Sequence, residues 1–179
     1  MQTSTTKTKD MMLTALFAVL ISVCAWISIP AAVPFTMQTF GVFLAAGVLG
    51  GKRGTFAVVI YLLLGAVGLP VYAGGTSGIG ILLGSTGGYM VSWIFTGLIL
   101  WAVQTAFGKK TWTAAVSMVL GLITCYTLGT AWFVTVYARN AGHIGVWTAL
   151  SMCVIPFVIP DLVKLTLALM LRKRLARFV

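Results

Sequence analysis

Residues 156–177 read PFVIPDLVKLTLALMLRKRLAR, and this stretch decides what kind of molecule the chain can be. From Pro156 to Leu171 only Asp161, Lys164 and Thr166 interrupt the apolar run; Arg172, Lys173, Arg174 and Arg177 then close it. A long apolar segment stopped by cations is the pattern of a helix that crosses a bilayer and ends at the cytosolic face. Asp161 and Lys164 are three residues apart and share one helix face. Each would cost on the order of 3 kcal/mol at the bilayer centre, so their presence implies mutual pairing, a wet cavity or a polar ligand. A rise of about 1.5 Å per residue places Asp161 roughly 16 Å outward of Arg172, near the midplane. Pro156 and Pro160 are expected to break the helix just outside, leaving Asp161 in the first turn of an inner half-helix. The plainer alternative is a self-satisfied Asp–Lys pair that only fixes helix packing.

The rest of the chain agrees with a membrane setting. Of 179 residues, 60% are hydrophobic and 8% charged, too few polar side chains to keep a soluble surface wet. Twelve Lys/Arg against two Asp/Glu give a net charge of +10. That excess does not signal a nucleic-acid partner, because no run reaches five or six like charges. Asp10, Asp161 and His143 are the only carboxylates and imidazole, poor material for acid–base or metal chemistry. Cys24, Cys125 and Cys153 lie in apolar runs without C-x-x-C spacing and read as buried thiols.

Six apolar segments are expected to be helices: Met11 to Ile29, Met37 to Gly50, Thr55 to Val67, Gly87 to Thr105, Thr113 to Tyr137 and Gly145 to Leu171. The second and third are short, so they are expected to begin inside the protein beside a cavity rather than in lipid. Lys7 and Lys9 precede the first segment, Lys52 and Arg53 separate the second from the third, and Lys109 and Lys110 separate the fourth from the fifth. With the closing cluster after the sixth, these put both termini in the cytosol. The opposite connections carry only Arg139 and His143. The fold expected is an all-α integral membrane protein of six transmembrane helices, one domain over residues 1–179. Residues 1–10 form a short polar lead and 172–179 a basic end. The first apolar segment is too long for a cleaved signal peptide and is kept in the mature chain. No internal repeat is visible.

Three further features bear on function. The outer connection from Leu69, LPVYAGGTSGIGILLGSTGGYM, is rich in glycine yet apolar, which suits a lid folded back onto protein better than a free surface loop. The helix that follows would start near Gly87 and Gly88, and its free N–H groups could receive an anion or a carbonyl. Small residues recur every four positions at Thr14, Ala18 and Ser22, and at Ser117, Gly121, Cys125 and Gly129. Such stripes let helices approach closely, within the chain or with another subunit. Neither Gly51-Lys52-Arg53 nor Gly108-Lys109-Lys110 completes a nucleotide-binding P-loop, so the chain does not hydrolyse ATP itself.

Taken in order, VPFTMQTFGVFLAAGVLG from Val33, the Leu69 connection, YTLGTAWF from Tyr126 and PFVIPDLVKLTLA from Pro156 resemble the BioY family, biotin-binding S components of energy-coupling-factor transporters. The resemblance covers nearly the whole chain. It implies a prokaryotic cell-membrane protein, not an enzyme and without a cofactor, that captures biotin from outside. It implies association with a transmembrane T component and two cytosolic ATPases. The first-helix stripe would face the T component, where the family favours Ala-x-x-x-Ala and this chain has Thr14, Ala18 and Ser22. Asp161 would accept a ureido N–H of biotin, and Lys164 would donate to the ureido oxygen or balance the tail carboxylate. Tyr72, Ser77, Gly87, Gly88 and Tyr89, with Thr36, Gln38 and Thr39, would close and line the pocket. An S component for another vitamin, a proton-coupled carrier or intramembrane enzyme using Asp161, and a purely structural subunit remain alternatives.

Overall fold

The computed structural model describes residues 4–30, 33–142 and 144–175, so His143 and Arg177 fall outside the described residues. Eight α-helices run in order: α1 Ser4–Trp26, α2 Gln38–Leu49, α3 Gly51–Ala66, α4 Ile79–Leu83, α5 Gly87–Phe107, α6 Thr111–Ala141, α7 Val146–Cys153 and α8 Ile155–Leu175. Between α1 and α2, β1 (Ser28–Ile29) pairs antiparallel with β2 (Phe35–Thr36), Ser28 opposite Thr36 and Ile29 opposite Phe35. Among the described residues, α1, α5 and α6 are long and apolar enough to cross a membrane, and α7 with α8, bent by 41°, pass together as a fourth span.

Several boundaries differ from the expected ones for physical reasons. The sixth predicted helix is two, and the break lies at Val154 (φ −122°, ψ −58°) rather than at the prolines. Pro156 sits in the first turn of α8, where its missing N–H costs nothing, and Pro160 is accommodated inside the helix. Asp161 therefore belongs to the second turn of α8, not the first. Lys52 and Arg53 are not in a loop: Gly50, at φ +84°, lets α2 end and α3 start within one residue, so both cations fall in the first turn of α3. Arg139 likewise lies in the last turn of α6 rather than in a connection.

Both α2 and α3 start beside a cavity, at opposite ends of the bundle: Gln38 lines one concavity and Gly51 another. The first of them, α2, is the more enclosed. It is buried along almost its whole length, consistent with protein rather than lipid on all sides. Its partner α3 starts at the opposite, basic end of the bundle and brings Tyr61 and Gly65 toward the cavity end. Close crossings seat these helices. A Cβ on Gly54 would stand 2.4 Å from the Cα of Ala46, and one on Gly121 would stand 2.5 Å from Thr96 Cγ2, so α2–α3 meet backbone to backbone and α5–α6 backbone to side chain.

Tertiary bonds gather the basic segments at one end. Arg53 bonds Asp10 at 2.8 Å, Lys52 lies over the Trp101 ring, and the Gly51 N–H donates to Gln104 Oε1. Arg172 donates from Nε to the Gly47 carbonyl at 2.9 Å and from its terminal nitrogens to the carbonyls of Lys109 and Lys110. The start of α1, the α2–α3 and α5–α6 junctions and the end of α8 are thus neighbours, which is the grouping the charge pattern requires.

The first-helix stripe takes the first of the two readings open to it, packing within the chain. Thr14, Ala18 and Ser22 are buried within the chain, Ala18 in the main core, while Leu16, Val19 and Val23 point outward. The Thr14 and Ser22 hydroxyls donate to the carbonyls four residues back. The stripe serves packing between α1 and the chain's own α2 and α3.

Candidate functional site

A cavity of about 260 Å³ lies at the end of the bundle away from the cations, near the lower limit of ordinary small-ligand pockets (~300–1,000 Å³). Asp161 and Lys164 form one polar wall. Lys164 Nζ donates to Asp161 Oδ1 at 2.8 Å and to the Thr36 carbonyl at 2.7 Å. The Tyr126 hydroxyl, from α6, donates to Asp161 Oδ2 at 2.8 Å. The ammonium stands 4.3 Å from the centroid of Phe35, whose ring stacks on Phe157. Both charged side chains are about 95% buried, with side-chain exposure of 5% for Lys164 and 6% for Asp161. The pair is neutral as a unit, hydrogen-bonded on both members and backed by an aromatic face, which is how a membrane interior tolerates two ions. It is not self-contained: a lysine has three donors and a carboxylate about four acceptor positions, so capacity remains on the cavity side.

A second polar group enters from β2 and α2. The Thr36 hydroxyl donates to Gln38 Oε1 at 2.8 Å, and Gln38 Nε2 donates to the Tyr61 hydroxyl of α3. This chain fixes which way the Gln38 amide points. Thr36, Gln38 and Thr39 all line the cavity.

The apolar walls are aromatic and rest on glycines. A Cβ on Gly65 would stand 2.1 Å from the Tyr72 ring, and one on Gly129 would stand 2.1 Å from the Tyr89 ring. Tyr72 anchors its hydroxyl on the Leu62 carbonyl at 2.6 Å, and the Tyr89 and Thr130 hydroxyls share a bond of 3.0 Å. Both rings are therefore held by their polar tips, and both residues line the cavity.

The glycine-rich connection folds back over this region. A short 3₁₀ turn, Ala73–Gly75, precedes α4. Gly78 N–H donates to the Gly65 carbonyl at 2.7 Å, Trp26 Nε1 to the Pro70 carbonyl and Trp132 Nε1 to the Gly84 carbonyl, each at 2.9 Å. Tyr72, Ala73, Thr76 and Ile81 from this segment line the cavity.

Of the residues expected at the site, Asp161, Lys164, Thr36, Gln38, Thr39, Tyr72 and Tyr89 come together around it. Ser77 does not line it; the neighbouring Thr76 does. Gly87 and Gly88 do not line it either. They serve close packing, against the Leu82 carbonyl and Trp132 respectively. At the start of α5 the N–H groups of Gly87 and Tyr89 are taken by the carbonyls of Gly84 and Thr86. Sequence reasoning missed Tyr126, Trp93, Phe157 and Tyr61. Tyr126 carried a usable signal: a phenol in an apolar helix requires a buried hydrogen-bond partner, and Asp161 was the one acid at that depth.

The sequence model of the BioY family matches residues 1–179. The chain is 42% identical over 163 residues to the biotin transporter BioY of Thermotoga maritima, covering 90% of this chain and 92% of that protein. It is 38% identical over 170 residues to the probable biotin transporter BioY of Pyrococcus horikoshii, covering 94% and 97%. The fold is similar to the crystal structure of the S-component for biotin from an ECF-type ABC transporter, with TM-score 0.85, 28% identity and coverage of 99% of this chain and 95% of that one. The chain belongs to the BioY family.

Proposed function

We propose that this chain is the biotin-capturing membrane subunit of an energy-coupling-factor transporter, and that the Asp161–Lys164–Tyr126 wall reads the ureido ring. The observation that carries the assignment is that this polar wall, 2.8 Å bonds on each side of Asp161, stands inside a cavity otherwise lined by aromatic and aliphatic side chains. A bicyclic urea with an alkyl tail needs that combination: an acceptor for its N–H groups, a donor for its oxygen, and flat apolar walls for its thiophane ring and chain. Asp161 accepts a ureido N–H; Lys164 donates its remaining N–H to the ureido oxygen. Thr36, Gln38 and Thr39 supply further polar partners, and Tyr72 and Tyr89 cover the apolar part. The likeness to the biotin S-component and the relatives named above supports the same reading.

In this reading the chain is a multi-pass protein of the prokaryotic cytoplasmic membrane. Its spans are α1, α5, α6 and the α7–α8 pair, with α2 and α3 completing six, and both termini in the cytosol. The basic end of the bundle supports that orientation. A T component and two cytosolic ATPases supply the energy.

Thermal unfolding of the purified protein across a panel of vitamins tests the substrate. Biotin alone is expected to raise the midpoint at micromolar concentration. Stabilisation by a different vitamin and not by biotin would transfer the assignment to that ligand.

A further inference from the structure

A second concavity of about 720 Å³ lies at the basic end, between the start of α1, the α2–α3 junction and the end of α5. It has two kinds of wall. Lys52, Arg53 and Lys109 line it together with one carboxylate, Asp10, so charge is in excess by two cations. Asp10 is bound to Arg53 at 2.8 Å, which leaves the other guanidinium donors of Arg53 and both lysine ammoniums uncompensated by acid at this site. Lys52 and Lys109 are exposed, and Lys52 Nζ is held 5.7 Å from the Trp101 centroid. The remaining wall is apolar and open: Met11 is 73% exposed, Phe56 52% and Trp101 38%.

From this juxtaposition we infer that the groove binds an anionic phospholipid, its phosphate among Lys52, Arg53 and Lys109 and its acyl chains along Met11, Phe56 and Trp101. A soluble anion would use the cations and leave the apolar wall wet. A zwitterionic lipid would use the apolar wall but bring its own cation into a site that already has three. Only a lipid with net negative charge satisfies both walls. The site is independent of the vitamin cavity, which lies at the other end of the bundle.

Native mass spectrometry of the detergent-purified full chain, with added 16:0/18:1 phosphatidylglycerol or phosphatidylcholine of the same chains, tests this. Phosphatidylglycerol is expected to be retained at one copy per chain and phosphatidylcholine not. Lys52→Gln with Lys109→Gln should weaken retention roughly 30-fold, and Lys109→Gln alone, at an exposed position, about 5-fold. The matched pair Lys173→Gln with Arg174→Gln removes equal charge from the same end and should retain the lipid, and biotin binding should be unchanged in all variants. Equal loss in the matched pair would reduce the effect to surface charge and overturn the inference. So would equal retention of phosphatidylcholine, or displacement by millimolar inorganic phosphate. Absence of retained lipid, with ATPase-module capture lost in the Lys52/Lys109 variant, would make the groove a protein-docking surface instead.

Discussion

Asp161 receives one bond from the Lys164 ammonium and one from the Tyr126 hydroxyl, and that division separates stability from recognition. Removing Lys164 alone, as Lys164→Ala, leaves a buried carboxylate with one neutral donor, a change that typically costs about 3–5 kcal/mol. Replacing both ions by apolar residues of similar volume, Asp161→Leu with Lys164→Met, removes the desolvation burden and is often neutral or better. The expected outcome is that Lys164→Ala unfolds at markedly lower temperature, the double variant unfolds near the parent, and neither binds biotin by calorimetry. Parental affinity in the double variant would reduce the pair to packing. Tyr126→Phe keeps the ion pair and should lose about 1.5–3 kcal/mol of the interaction with the carboxylate, read as weaker biotin binding in a folded protein. Residues 161 and 164 were legible in the sequence because charge in an apolar run is conspicuous. Tyr126 is legible only in combination, because a phenol in an apolar helix points to a buried partner and Asp161 is the one acid at that depth.

Between elements, glycines decide where the cavity walls stand. Gly129 on α6 leaves room for Tyr89 of α5, whereas Gly54 on α3 leaves room for the α2 backbone at Ala46, on a contact that does not line the cavity. Gly129→Ala and Gly54→Ala should each destabilise by about 1–3 kcal/mol through overpacking. Only Gly129→Ala should also weaken biotin binding, because Tyr89 must shift to accept the methyl; titration at a temperature where both variants are folded distinguishes them. The same elements show what sequence could not reveal. The start of α5 was placed at Gly87 by its glycine pair and the structure has it there. The break at Val154 had no local signal. The two nearby prolines suggested a later break, yet Pro156 fits a first turn and Pro160 is absorbed by the helix. The four-residue stripe on α1 told of a close contact but not with what, and the chain's own α2 and α3 occupy it.

At the scale of the whole chain, Arg172 ties the end of α8 to the end of α2 and to the α5–α6 junction. Arg172→Ala frees three carbonyls at once and should lower the thermal midpoint by several degrees, with Arg172→Lys restoring only part, since an ammonium cannot reproduce the planar fork. Biotin affinity at low temperature should be unaffected in both, the cavity being at the other end. This clustering of cations was readable from sequence as a topology, because charge spacing survives without coordinates; the cavity was not, because it is assembled from distant segments, such as those of Thr36 and Lys164, 128 residues apart. The neutrality of the Asp161–Lys164 couple has an electrical consequence. An empty cleft holds no net charge, so a guest that arrives with an ionised tail contributes the whole imbalance of the loaded state. Carrying that anion inward against an inside-negative potential costs about 2.3 kcal/mol per 100 mV for a full crossing, and no residue of the couple offsets it. The voltage that draws cations into a cell works against this cargo, so the energy for the inward step has to come from outside the couple.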